Sequence, residues 1–128
     1  MAKSVSIEYL KGHAYAQRVA TGTHTYDADE SLEAGGDGLG PSPYELLLGA
    51  LGSCTSITLI MYARRHNWPL DDVTVHLTHD RVQSEDGASG TGSTPRVEVV
   101  TLDISLKGAL STEQRERLLE IAGRCPVH

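Results

Sequence analysis

Phenylalanine is absent from this 128-residue sequence, tryptophan occurs once and methionine twice. Aliphatic side chains must therefore fill whatever core the chain builds. Cysteine is almost as scarce: Cys54 and Cys125 stand far apart, too few for the disulfide framework of a small secreted domain. In a reducing compartment such a lone pair is either inert core or redox-active. Positive charge is also short, since 11 Lys and Arg against 17 Asp and Glu leave a net charge of −6. No basic cluster exceeds Arg64-Arg65. That argues against nucleic acid or an anionic membrane as partner, because both need a basic face. The opening residues Met1-Ala2-Lys3-Ser4-Val5 carry no apolar run of the signal-peptide kind, so a cytoplasmic location is expected.

What remains is ordinary for a soluble protein, with 39% hydrophobic and 22% charged residues. The length suits one domain around a single core, spanning residues 1–128. Val5–Leu10 and Tyr15–Thr21 read as short strands joined by a turn at Lys11-Gly12, with His24–Tyr26 as a candidate third. Asp27–Gly40, which holds Gly35, Gly36, Gly38 and Gly40, reads as a loop.

Clear helix punctuation follows. Ser42 is placed to be an N-cap, Pro43 the first helical residue, and Glu45 completes a capping box. The uncharged run Leu46–Ala63 continues to Arg64-Arg65-His66, where positive charge suits a helix C-terminus. Asn67-Trp68-Pro69 stops it, because the residue before a proline avoids helical backbone. The run is long enough to consider a membrane span. Gly49, Gly52, Ser53, Thr55, Ser56 and Thr58 dilute it and no second span exists, so a buried central helix is expected. Gly49, Ser53 and Ser56 would admit another helix backbone, for which the same helix of a second subunit is the candidate.

Val73, Val75 and Leu77 alternate with Thr74, His76 and Thr78, the period of a half-buried strand over Val73–Val82. A Gly/Ser/Thr-rich loop, Ser84–Pro95, leads to a second strand, Arg96–Lys107, with Val100, Leu102, Ile104 and Leu106 in phase. The two are expected to form an antiparallel hairpin, with a bulge at Val99-Val100 where the alternation breaks. Ser111 and Gln114 make a second capping box. Leu118, Ile121, Ala122 and Cys125 fall at helical spacing on one face, and Gly123 and Pro126 mark where that helix ends. The sequence stops just after it, before any terminal strand.

Cys54 sits mid-helix in Leu51-Gly52-Ser53-Cys54-Thr55, where a free cysteine is commonly a small buried hydrophobe. Cys125 admits the same reading, and spacing does not decide between inert core and redox pair. Cys125-Pro126-Val127-His128 looks superficially like a ligand pair. Structural zinc brings CxxC or paired Cys/His blocks at tight spacing, and none occurs here. His76 and His79 fall on opposite faces of one strand, while His24 and His66 read as polar surface residues. No metal or other cofactor is expected.

The stretch Gly40-Pro41-Ser42-Pro43-Tyr44-Glu45-Leu46-Leu47-Leu48-Gly49-Ala50-Leu51-Gly52-Ser53-Cys54-Thr55 closely resembles the central-helix signature of the OsmC/Ohr family. Met61-Tyr62-Ala63-Arg64-Arg65, Trp68-Pro69-Leu70, and upstream His24, Asp29-Glu30 and Gly35-Gly36 resemble its OsmC-like branch. So does Ile121-Ala122-Gly123-Arg124-Cys125-Pro126-Val127-His128. The resemblance implies an α+β, OsmC-like fold with antiparallel sheets around a long central helix, in an intertwined homodimer. It also implies a peroxide-reducing centre near the dimer interface. There Cys54 becomes a sulfenic acid, Cys125 resolves it as a disulfide, and an external dithiol resets the pair.

A thiol in an apolar helix has a raised pKa, so a cation or several donors must lie near Cys54. The resemblance implies an arginine held by a glutamate. At the family's glutamate position this sequence has Tyr44, with Glu45 beside it, and Glu45 is both a capping residue and a catalytic candidate. On one continuous helix Glu45 and Cys54 are about 13 Å apart along the axis and half a turn round. Glu45 would therefore have to serve the Cys54 of the other subunit. Arg18 on the second strand is the first candidate for the arginine, since the N-terminal strands carry it in some relatives. Arg124 adjoins Cys125, Arg64 and Arg65 read as solvent-facing, and His13 stands where some relatives have an arginine. The expectation is a peroxidase for organic hydroperoxides, with Leu47, Leu51, Ile57 and Met61 lining an apolar pocket beside Cys54. The alternative is a redox-sensing or ligand-binding relative with little turnover, favoured by Tyr44 and the unassigned arginine.

Overall fold

In the computed structural model, which describes residues 2–83 and 96–124, three short strands open the chain. β1 (Ser6–Tyr9), β2 (Gln17–Ala20) and β3 (Thr25–Ala28) form an antiparallel sheet in that order. The third begins and ends later than the pattern predicts. Lys11-Gly12 makes the first turn, with Gly12 at φ 95°, a conformation glycine adopts freely. Thr21 closes the second turn, its hydroxyl accepting the His24 N–H at 2.9 Å.

Met1–Leu47 forms one compact unit and Leu48–His128 another. In the first, the loop after β3 is built on a buried carboxylate. Asp29 Oδ1 accepts the Glu30 N–H at 2.7 Å, and Oδ2 accepts those of Asp37 and Leu39 at 3.2 Å. Gly36 passes so close that a Cβ there would run into the Glu30 carbonyl and lie 2.9 Å from Asp29 Oδ1.

The Ser42 cap forms as expected. Its hydroxyl accepts the Glu45 N–H at 3.3 Å, and the Glu45 carboxylate accepts the Ser42 N–H at 3.0 Å. From it α1 runs Pro43–Arg65. The stop differs from expectation. Asn67 adopts φ 56°, the Trp68 N–H reaches back to the Ala63 carbonyl at 2.9 Å, and the Asn67 N–H to that of Arg64 at 3.2 Å. This is a Schellman motif. Asparagine's tolerance of the left-handed region ends the helix before Pro69 acts.

β4 (Asp72–Gln83) and β5 (Arg96–Lys107) pair antiparallel in one register, from Asp72↔Lys107 to Gln83↔Arg96. The expected loop Ser84–Pro95 lies outside the described residues. The bulge expected at Val99-Val100 is absent: Val99 opposes Asp80 and Val100 opposes His79, with no residue left over. The apolar phase changes because both faces of β5 carry valine there, and Val97, Val99 and Val100 are all exposed.

α2 (Thr112–Ala122) starts on the Ser111–Gln114 capping box, at 3.1 and 2.9 Å. Its Leu118, Ile121 and Ala122 meet Leu59 and Ala63 of α1, with Val73, Ile104 and Leu106 of the hairpin packed around them. Arg115 donates to the Leu106 and Gly108 carbonyls at 2.8 and 2.9 Å, tying the end of β5 to α2. By length and composition α1 could cross a membrane, but here it buries a stripe of Gly52, Thr55, Leu59 and Ala63. At Gly52 a Cβ would lie 2.7 Å from Leu77 Cδ1, so glycine lets β4 close onto the helix. The class is α+β, with antiparallel sheets and, among the described residues, two helices, as the sequence predicts.

Candidate functional site

Helical periodicity decides what Cys54 faces. Opposite the buried stripe of α1 lie Leu47, Ile57 and Met61, which are 56%, 55% and 57% exposed. Cys54 is a free, half-buried thiol on the flank of that open apolar side. Thr55 turns the other way, and its fully buried hydroxyl donates to the Leu51 carbonyl at 2.9 Å. Of the side chains expected to line an apolar pocket beside Cys54, Leu47, Ile57 and Met61 are exposed in the single chain, and Met61 also lines a recess with Ile121 of α2.

Cys125 lies outside the described residues. α2 stops short of it at Ala122, where the Gly123 and Arg124 N–H groups turn back to the Glu120 and Ile121 carbonyls at 3.2 and 2.9 Å.

Both members of the expected charge pair have local partners. Hydrogen bonds from the Ser42 backbone first, and its hydroxyl second, hold the Glu45 carboxyl below its ordinary pKa. Arg18 Nε donates to Asp27 Oδ1 at 3.2 Å across a directly opposed β2–β3 pair, and its side chain is half exposed. His13 Nδ1 lies 2.9 Å from Asp37 Oδ2, and the Tyr9 hydroxyl donates to the His13 carbonyl.

Other arginines are organised in ways the sequence reading missed. Arg65 is exposed, as expected, and with Arg124, Thr58, Met61, Tyr62 and Ile121 it lines an open recess of about 290 Å³. Arg117 Nε donates to the Tyr62 hydroxyl at 3.1 Å and Nη1 pairs with Glu120 at 2.6 Å. The Tyr62 ring in turn meets Trp68 edge-on at 5.4 Å. On the hairpin, Arg81 Nε lies 3.3 Å from Glu98 Oε1, and His79 Nε2 lies 3.5 Å from Glu98 Oε2. An arginine held by a glutamate therefore occurs on β4–β5. The alternation that turns Val73, Val75 and Leu77 to one face carries His79 and Arg81 to that face too, and this is the signal that locates the cluster. Among the described residues no group of three His, Cys, Asp or Glu side chains is placed to hold a metal ion.

The family model for OsmC-like proteins matches residues 35–128. The chain is a member of the OsmC-like protein family. Solved structures share its fold at low identity. An OsmC-like protein of Mycoplasma pneumoniae is 14% identical with a TM-score of 0.75, covering 100% of this chain and 85% of that one. An organic hydroperoxide resistance protein OsmC of Legionella pneumophila is 18% identical with a TM-score of 0.70, covering 99% and 86%. The organic hydroperoxide resistance protein OhrB of Bacillus subtilis is 18% identical with a TM-score of 0.63, covering 98% and 87%. A search of curated protein sequences finds no match. The region matched to the OsmC-like family takes in α1 with Cys54, and Cys125.

Proposed function

We propose that this OsmC-like protein is a cysteine-based peroxidase for organic hydroperoxides, acting as a cytoplasmic homodimer without a cofactor. The observation that carries the reading is the position of Cys54, a half-buried free thiol beside an apolar helix face left open among the described residues. The Legionella and Bacillus proteins that share the fold are organic hydroperoxide resistance proteins.

In the proposed cycle the Cys54 thiolate attacks the terminal peroxide oxygen. The O–O bond breaks as the S–O bond forms, the sulfur gives up two electrons, and the leaving alkoxide takes a proton to become the alcohol. The Cys125 thiolate then attacks the sulfenic sulfur, hydroxide departs as water, and a Cys54–Cys125 disulfide forms. An external dithiol returns both thiols by exchange and leaves as its own disulfide. Arg18 and Glu45 are the proposed activating pair, Glu45 serving the Cys54 of the second subunit. The second copy's α1 covers Ile57 and Met61 and excludes water from the thiol.

One equivalent of cumene hydroperoxide added to reduced protein should remove two titratable thiols and give an intramolecular disulfide. Cys54→Ser should abolish peroxide consumption, and Cys125→Ser should leave a sulfenic acid that dimedone traps at Cys54. Equal residual activity in both variants contradicts this division of labour. A redox sensor with little turnover is the second reading. It is favoured by Tyr44 at the family's glutamate position, with Arg18 and Glu45 each engaged by a neighbour. Thiol loss without sustained turnover under dithiol supply selects it, and thiols that survive peroxide leave a structural role.

A further inference from the structure

A separate cavity of about 170 Å³ lies where α1 ends and β4 begins, lined by Ile60 and Arg64 with Trp68, Leu70, Asp71 and Asp72. Ile60 and Arg64 stand about 120° and 80° round the helix from Cys54, so the cavity opens on a different side of α1 from the thiol. Its walls are fixed by the backbone. The Schellman turn ties the Trp68 N–H to Ala63, and the Leu70 N–H reaches the Trp68 carbonyl at 2.9 Å. The Asp71 N–H reaches the Lys107 carbonyl at 2.7 Å. Gly108, at φ 146°, packs so tightly that a Cβ there would run into the Pro69 carbonyl. Trp68 and Leu70 also pack against the core around Leu59 and Leu118. A cavity built this firmly needs little ordering when a ligand enters.

The charges around it are opposite in sign and do not meet. Among the described residues, Arg64, Asp71 and Asp72 take part in none of the ion pairs or side-chain hydrogen bonds. Lys107 opposes Asp72 across the strands, yet the two form no ion pair either. An anion entering alone would face two carboxylates, and a cation alone would face a guanidinium. A molecule carrying both charges satisfies all three groups. The planar fork of Arg64 matches a carboxylate. Asp71 and Asp72 accept from an ammonium, which the negative end of the α1 dipole also favours. We infer that this cavity binds the zwitterion of a small aliphatic α-amino acid. Its carboxylate sits on Arg64, its ammonium on Asp71 and Asp72, and its side chain against Ile60, Leu70 and the Trp68 ring. The site depends neither on Cys54 nor on the peroxidase reading.

Trp68 is the only tryptophan of the chain, so its fluorescence reports this cavity directly. Titration of the reduced protein with L-leucine should give a saturable change in Trp68 emission and a matching calorimetric isotherm. Isoamylamine lacks the carboxylate and isocaproate lacks the ammonium. Each should bind at least about tenfold more weakly, as expected when charge-assisted hydrogen bonds are lost. Arg64→Gln should reduce L-leucine to the affinity of the amine and leave the amine's own binding in place. The double variant Asp71→Asn/Asp72→Asn should reduce it to the affinity of the acid. Both sites are exposed, so the variants should keep the wild-type circular dichroism, and the ligand comparison on the wild-type chain decides the question even if one melts early. Cys54→Ser should bind L-leucine as the wild type does, whether or not peroxide is consumed. No saturable response to L-leucine, one-charge analogues that bind as tightly, or folded charge variants that bind like wild type would overturn the inference.

Discussion

At the scale of single residues, Asp29 shows how an enclosed charge can stabilise a loop. Desolvation alone pushes its carboxyl pKa up. The N–H groups of Leu39, Glu30 and Asp37, with His13 nearby, outweigh that and hold it below its ordinary value. A depressed folded pKa means the unfolded chain binds the proton more readily. The stabilisation is therefore fully present above the unfolded carboxyl pKa and is lost as pH falls through the folded one. Asp29→Asn should lower the urea midpoint at neutral pH and flatten the loss of stability in acid; an unchanged acid limb would exclude this role. Glu45 separates two functions in one side chain. Glutamine also serves as the third member of a capping box, so Glu45→Gln should leave stability within about 0.5 kcal/mol of wild type. If Glu45 also activates the thiol, the same change should lower peroxide turnover at least about tenfold. Both capping boxes were legible because a cap joins residues three apart. The engagement of Arg18 by Asp27, and the recess that Arg65 and Arg124 both line, were not, because folding rather than spacing makes them.

At the scale of elements, α1 and the hairpin followed from period and punctuation, and the errors have local causes. The Val99-Val100 break looked like an inserted residue, because alternation cannot distinguish an extra residue from a strand end with apolar side chains on both faces. Pro69 looked like the stop of α1, but Asn67 takes the left-handed turn first. Gly52 was counted only as a diluent of hydrophobicity, yet it sets how closely β4 and α1 approach. Gly52→Val should push methyl groups into Leu77 and cost about 1–3 kcal/mol, read as a fall in Tm. Leu77→Ala in the same background should recover part of that loss, because the two sites share one contact. Simple additivity would show that the strain lies elsewhere.

At the scale of the whole molecule, the exposed Ile57 and Met61 mark a side of α1 that the described residues do not cover. Under the homodimer reading, Ile57→Glu should shift sedimentation from dimer to monomer and leave the circular dichroism of the folded chain in place. A wild-type chain that sediments as a monomer at the same concentration would remove that reading. The paired strands carry a separate consequence for how the chain can change over evolutionary time. Every partnership in β4–β5 follows one unbroken count, so the hairpin acts as a ruler graduated in twos. A single residue added within either strand would turn every side chain beyond it inside out, sending Val75 or Ile104 to the water side. Growth or trimming within this arm is therefore tolerated in matched steps that preserve parity.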